Sequence, residues 1–448
     1  MNLRRPQGIT GMHRKNSWAP AARLPQRGAA TLVVVMILFL IMAMMAAFAS
    51  RNQLFEQRIA SNYYRTGVAL EAGEAGAEWA LSMLNGIAVD AACTPSSTGG
   101  TSFRQRYLTI DSGSRGITPI NYGTPAVADC VRKASGAQDW TCQCPSGPLP
   151  VSPLLTEASR MQPRFAVSLR AIDTASPIRP GVVRMFIEGC TASGSTECQS
   201  NSSYARAASL GLSQLYVDIA LLSALKAPPA SPLVAMGTVG AGAAGLGLHN
   251  TDPRSGGLLL SSLDANPSGL LDSRLDSLPG TPGRQALLLA DPSLLGKQGA
   301  DLFKMFFGMA MVNYQNQPAM RTITCPQGDC GPALLAAYNS GVRLAWVAGP
   351  LVISSNITLG TATEPLLLVA DGAVALQGPM QLTGLLFSNG NLDWANSSAM
   401  PAVFTGAMIV AGNTTVTGTV DLWYQAAVMD QLSNRAGSFV RIPGGWWN

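Results

Sequence analysis

Between Ala29 and Ser50 the chain runs 22 residues without a charge, directly after a basic segment that ends in Arg27-Gly28. As a helix rising ~1.5 Å per residue, such a run spans the ~30 Å hydrocarbon core of a bilayer. A secretory signal is one rival reading, because Ala47-Phe48-Ala49 has the small residues of a cleavage site and positive charges precede the run. The run is longer than the ~7–15 apolar residues of such signals, however. A plain bitopic anchor would carry the same flanks. A buried core helix would not have basic residues at both ends.

Beyond the span, apolar or small residues recur at Leu54, Ile59, Ala60, Tyr63, Ala69, Leu70, Ala77 and Leu81, with no proline before Pro95. That spacing predicts one helix continuing to about Asn85, where Gly86 offers a stop. Gly67, Gly73 and Gly76 each cost about 1 kcal/mol against alanine in a helix, so packing must support its second half. Glu71, Glu74 and Glu78 share one helical face. No histidine or cysteine joins them, and a solvated or partner-facing stripe is the expectation over a metal site.

Three stretches carry a family resemblance: Gln26-Arg27-Gly28-Ala29-Ala30-Thr31-Leu32, Glu56-Gln57-Arg58-Ile59-Ala60-Ser61-Asn62, and Ala69-Leu70-Glu71-Ala72-Gly73-Glu74-Ala75. Together they resemble the N-terminal signature of PilX-type minor pilins of the type IV pilus system. The ending Arg441-Ile442-Pro443-Gly444-Gly445-Trp446-Trp447 resembles the Gly-Ser-Trp ending of that family, with Gly445 in place of Ser. The resemblance implies cleavage by a prepilin peptidase between Gly28 and Ala29, then N-methylation of Ala29. It implies a single-pass inner-membrane protein with its bulk periplasmic, later part of a fibre or the cell surface. Other minor and major pilins and the inner-membrane assembly machinery would be its partners. Major pilins carry Glu as the fifth mature residue, where its charge pairs with a neighbour's N-terminal amine. Here that position is Val33, which implies a place at the fibre tip or in the initiating complex. The large minor pseudopilin of a type II secretion system shares these features and is the alternative within the class.

Charge separates the leader from the rest. Residues 1–28 hold six basic groups and no acid, leaving 24 basic and 25 acidic groups elsewhere. The excess is a targeting charge that keeps the N-terminus cytoplasmic, and the exported part has no basic surplus pointing to nucleic acid. All eight cysteines lie beyond the span, and an even number in an oxidising compartment points to disulfides. Cys190 with Cys198 and Cys325 with Cys330 are the local pairings; Cys93, Cys130, Cys142 and Cys144 leave three connectivities open. Zinc is disfavoured by the Cys142-Gln143-Cys144 spacing and the lack of a nearby histidine.

The expected class is α+β: a long pilin helix, a mostly-β disulfide-containing head and a distal β-rich repeat unit. Its segments are a leader 1–28, a helix 29–86, a head 87–230, a Gly/Pro-rich connecting region 231–340 with a short helix 299–314, repeats 341–432 and a C-terminal cap 433–448. The head is expected to hold strands near Arg164–Leu169, Val182–Ile187 and Leu215–Ala220. In the distal part, apolar strands recur around Gly349, Gly372, Gly390 and Gly412, spaced 23, 18 and 22 residues apart. Periods near 20 predict a short parallel β-helix whose rungs bury their inner faces on their neighbours. The ending could lie against the last rung as a cap.

Catalysis finds little support. The only histidines are His13 and His249, and no nucleophile elbow, phosphate loop or His-Glu metal motif is present. No cofactor or metal is expected. A dinucleotide site at Gly240–Gly245 would need a helix directly after the glycines, and helix-breaking residues follow instead. A membrane-anchored adhesin or a carbohydrate-active β-helix protein would be the reading from another class, with Asp371 and Asp393 as candidate carboxylates at rung corners.

Overall fold

The computed structural model describes residues 28–96, 100–120, 126–132, 140–147, 162–172, 179–191, 211–326 and 328–448. A single helix spans Gly28–Leu84. The chain divides into two compact units, one up to Ser61 and one from Asn62. In the first, the helix from Leu32 to Ile59 exposes every large apolar side chain that it carries. In the second, its last turns bury Ala69, Ala72, Ala77, Ala80 and Leu84.

Those turns lie against a six-stranded antiparallel sheet. In spatial order its strands are Gly437–Trp447, Leu212–Ser223, Val182–Cys190, Arg164–Arg170, Ala126–Arg132 and Trp140–Gln143. Alternation selects the buried face: Phe165, Val167 and Leu169 on one strand, Val183, Met185 and Ile187 on the next, then Leu215, Val217, Ile219 and Leu221. Two of the helical glycines now have a reason. A Cβ on Gly73 would sit 2.8 Å from Leu215 Cδ1, and one on Gly76 2.8 Å from the Phe165 ring. From the sheet side, a Cβ on Gly189 would lie 2.6 Å from Gly73 N. Gly67 has nothing within 4 Å, so packing does not account for it.

The C-terminal strand corrects an expectation. Gly437–Trp447 does not cap the distal repeats; it pairs antiparallel with Leu212–Ser223 as the edge of the head sheet. Asn85 secures it where the helix ends: its Nδ2 donates to Phe439 O at 2.9 Å, and Phe439 N donates to its Oδ1 at 2.8 Å. An edge strand satisfied along a ladder and by a buried amide is a better home for those backbone groups than the end of a stack.

The distal part is a stack of parallel strands in two sheets. One runs Leu275–Asp276, Leu246–His249, Val420–Trp423, Val403–Val410, Gln381–Ser388, Leu366–Ala370, Leu344–Val347 and Arg321–Thr322. The other runs Leu351–Ile353, Val374–Gln377, Leu392–Asn396, Thr414–Gly418 and Val239–Ala241. Leu376, Leu386, Trp394 and Met408 fill the space enclosed by the strands. The glycines at 349, 372, 390 and 412 form a corner column. A Cβ on Gly372 would lie 2.6 Å from Gly349 C, and one on Gly412 2.7 Å from Gly390 C. Gly237 extends the column, with its N donating to Gly412 O at 3.0 Å.

This changes the expected boundaries. Residues 231–340 are not a connecting region: Leu233–Ala235 pairs in register with Met408–Val410, and Leu260–Ser262 and Leu287–Leu288 follow it outward. The chain enters the stack beside its last repeat, runs away from it, and returns at Arg321–Thr322 to complete the other end. The single helix expected over 299–314 is two, Gly299–Phe307 and Met311–Gln315, broken at Gly308 with φ 75°. Phe303, Phe307 and Tyr314 cover the outer face of the first sheet, Phe303 standing edge-on to Phe387 at 4.9 Å.

Candidate functional site

The helix offers one candidate surface. Val33, at the position of the expected missing acid, is 55% exposed amid an apolar helix face, and Leu32 and Val34 beside it are exposed too. The helix is long and apolar enough to cross a membrane. Residues 1–27 of the expected leader 1–28 lie outside the described residues, and of Gly28 and Ala29 only their place in the helix is described. Glu71, Glu74 and Glu78 are exposed, and Glu78 ion-pairs with Arg441 of the C-terminal strand. Among the described residues no three His, Cys, Asp or Glu gather to hold a metal ion.

The cysteines tie the head. Cys130 and Cys142 face each other across adjacent strands and are bonded, with Cα atoms 4.1 Å apart. Cys93 is bonded to Cys144, and Cys325 to Cys330. Of the three connectivities open for the first four cysteines, this is the one adopted. Cys190 is disulfide-bonded, while Cys198 lies outside the described residues.

The two candidate carboxylates are not brought together. Asp371 sits at a corner, where Asn389 Nδ2 donates to its Oδ1 at 3.0 Å. Asp393 is not at a corner: it lies mid-strand, opposite Ala375 and Thr415, on the exposed face. Strand register therefore separates them along the coil. Beyond Val352, the outer row of this sheet, Ala375, Asp393, Thr415 and Gly240, is small or polar.

A polar cluster that sequence reading missed lies on the other sheet. Parallel register sets His249 between Asp276 and Trp423. His249 Nε2 lies 3.0 Å from Asp421 Oδ1, which also accepts from Arg274 Nη2 at 2.7 Å. The imidazole stacks on Trp423 with centroids 3.9 Å apart. The hydrogen bond with His249, opposed by burial and aided by the Arg274 charge, holds the Asp421 carboxyl below the usual carboxylate range. Gly247 is required here, because a Cβ would overlap Asp421 and lie 2.9 Å from His249 Nε2. His249 and Asp421 are 172 positions apart, so no local pattern announces the pair.

A long helix, bare and apolar in its first part and gripped by an antiparallel sheet over its last turns, defines an α+β architecture with a β head. Residues 27–78 match the family described as PilX N-terminal, so the helix is similar to that of PilX-type minor pilins; the match does not reach the head strands or the stack. Among solved structures, the competence-associated pilin ComZ from Thermus thermophilus aligns over 86% of this chain and 97% of that chain, at 11% identity and a TM-score of 0.25. That likeness is too slight to bear on fold or function. No curated protein matches the chain.

Proposed function

We propose that the protein is a minor pilin, processed between Gly28 and Ala29, methylated at Ala29, and assembled with other pilins from the inner membrane into a type IV fibre. The observation that carries this reading is the PilX-like sequence on a helix that leaves every large apolar side chain from Leu32 to Ile59 exposed. An apolar helix bare to its surroundings needs lipid or neighbouring helices. The role is structural: the helix joins a bundle of pilin helices while the head and the stacked coils, read as a short parallel β-helix, form the displayed surface.

Val33, standing where a body subunit would carry an acid, supports a position at the fibre tip or in the initiating complex. A buried unpaired amine is costly, so a body subunit needs an acid at that position to meet the N-terminus of the subunit above. A subunit with nothing above it has no such amine to neutralise. Immunogold labelling of sheared fibres tests both parts: gold at one end supports the placement, and gold spread evenly along fibres refutes it. N-terminal sequencing of the fibre-associated protein should begin at Ala29, and Gly28→Val should leave the precursor uncut. A mature protein beginning at Ser50 would mark the segment as a secretory signal and end the pilin reading.

A further inference from the structure

A cavity of about 390 Å³ lies where the helix end, the C-terminal strand and the stack meet, within the size range of small-molecule sites. Four arginines line it, Arg104, Arg321, Arg343 and Arg435, against one acid, Glu364. Arg104 and Arg321 are spent largely on main-chain oxygens. Arg104 donates to Leu84 O, Arg435 O and Gly437 O, and Arg321 to Pro318 O, Met320 O and Asn85 O. Arg321 ties the stack to the helix end, Arg104 ties the helix end to the C-terminal segment, and neither has a carboxylate in hydrogen-bond contact, so their charges remain. Arg343 Nε donates to Glu364 Oε2 at 3.0 Å, and its Nη1 to Tyr338 O and Val342 O. Arg435 Nη1 donates to Gln431 Oε1, while its Nη2 stands 3.9 Å from Glu364 Oε1, beyond hydrogen-bond reach. Among the described residues, Arg343 Nη2 and the Nε and Nη2 of Arg435 thus have no hydrogen-bond acceptor. Burial pushes the Arg104 guanidinium down to about 10 and lowers Arg321, as expected for cations without a counter-ion in contact.

We propose that this cavity binds a small organic oxyanion, one bearing a carboxylate or phosphate group, held by the free guanidinium donors of Arg343 and Arg435. The two remaining arginines supply a positive field that one glutamate does not balance. Planar guanidinium forks match the paired oxygens of carboxylates and phosphates. The occupied cavity would join head and stack through a common ligand.

The test uses the full-length chain in detergent at constant ionic strength, titrated calorimetrically with inorganic phosphate in one arm and citrate in the other. Saturable binding in either arm is expected. Arg435→Gln keeps the main-chain oxygen that Arg104 uses and should bind about tenfold or more weakly. Glu364→Gln removes the competing acid and should bind more tightly, an increase that a stapling role alone would not produce. Absence of saturable heat in both arms, or an Arg435→Gln protein that binds as the parent does, would overturn the proposal.

Discussion

Close packing of the helix on the sheet makes a sharp prediction at Gly189. A Cβ added there would lie 2.6 Å from Gly73 N and 3.0 Å from Gly73 Cα, and closer still to Ala69 O. All three are backbone atoms, so no rotamer change relieves the overlap and the helix itself must lift. Lifting it would loosen contacts among Ala77, Phe165, Ile187 and Leu215, which share one core. Overpacking of this kind costs about 1–3 kcal/mol, and contacts with rigid backbone belong at the upper end. Gly67 makes the opposite control. It is exposed, within the helix, and has nothing within 4 Å of a new Cβ, so Gly67→Ala should stabilise by about 1 kcal/mol. For a domain of 150–250 residues, about 3 kcal/mol corresponds to roughly 6–12 °C in melting temperature. Thermal melts of the full-length variants, followed by near-ultraviolet circular dichroism, should show Gly189→Ala falling by several degrees and Gly67→Ala rising slightly. A Gly189→Ala protein that melts with the parent would mean that the helix does not sit this close to the sheet.

Three further outcomes follow from the same contacts. Replacing Cys130 and Cys142 by serine opens a loop of 12 residues and should destabilise the head by about 3 kcal/mol, read from the shift in urea midpoint. Deleting Thr383 to Pro401 removes the central strand Gln381–Ser388 from Thr383 onward and the strand Leu392–Asn396 that follows it in the other sheet; the stack should become sensitive to limited proteolysis while leader cleavage persists, whereas alanine at Asp371 and Asp393 should leave stability and piliation unchanged. Because Asp421 titrates below its unfolded value, its contribution is present above about pH 4 and disappears as acid protonates it in the folded state. Asp421→Asn should therefore flatten the acid limb of a stability–pH curve, and an unchanged limb would show that the His249–Asp421–Arg274 cluster contributes nothing there.

The particular elements show where sequence suffices. An uncharged run of 22 residues announces its helix because hydrophobicity over a contiguous window is a local property, and the sequence bounds agree with a helix ending at Leu84. The head strands around Phe165, Met185 and Val217 were legible because alternation is written within each strand. The corner glycines were legible because Gly349, Gly372, Gly390 and Gly412 repeat along the chain, and their spacing implied stacking before any contact was known.

Other features depend on residues brought together from far apart. Leu233–Ala235 and Leu260–Ser262 are three residues each, too short to show a period, and they become strands only because Met408–Val410 offers a paired edge. The C-terminal strand reads as a tail until Leu212–Ser223 supplies its ladder and Asn85 its clasp. Connectivity of Cys93, Cys130, Cys142 and Cys144 depended on strand register, which composition does not contain. The four arginines at the junction come from segments separated by up to 331 positions, and each alone reads as an ordinary surface charge. What the sequence by itself determined is therefore the apolar helix, the basic segment before it, the head strands and the repeating corners, all local signals. Tertiary structure alone decided which coil adjoins which, where the chain's end returns, how four cysteines pair, and that unbalanced positive charge meets at one cavity, because each depends on free energy gained only when distant segments meet.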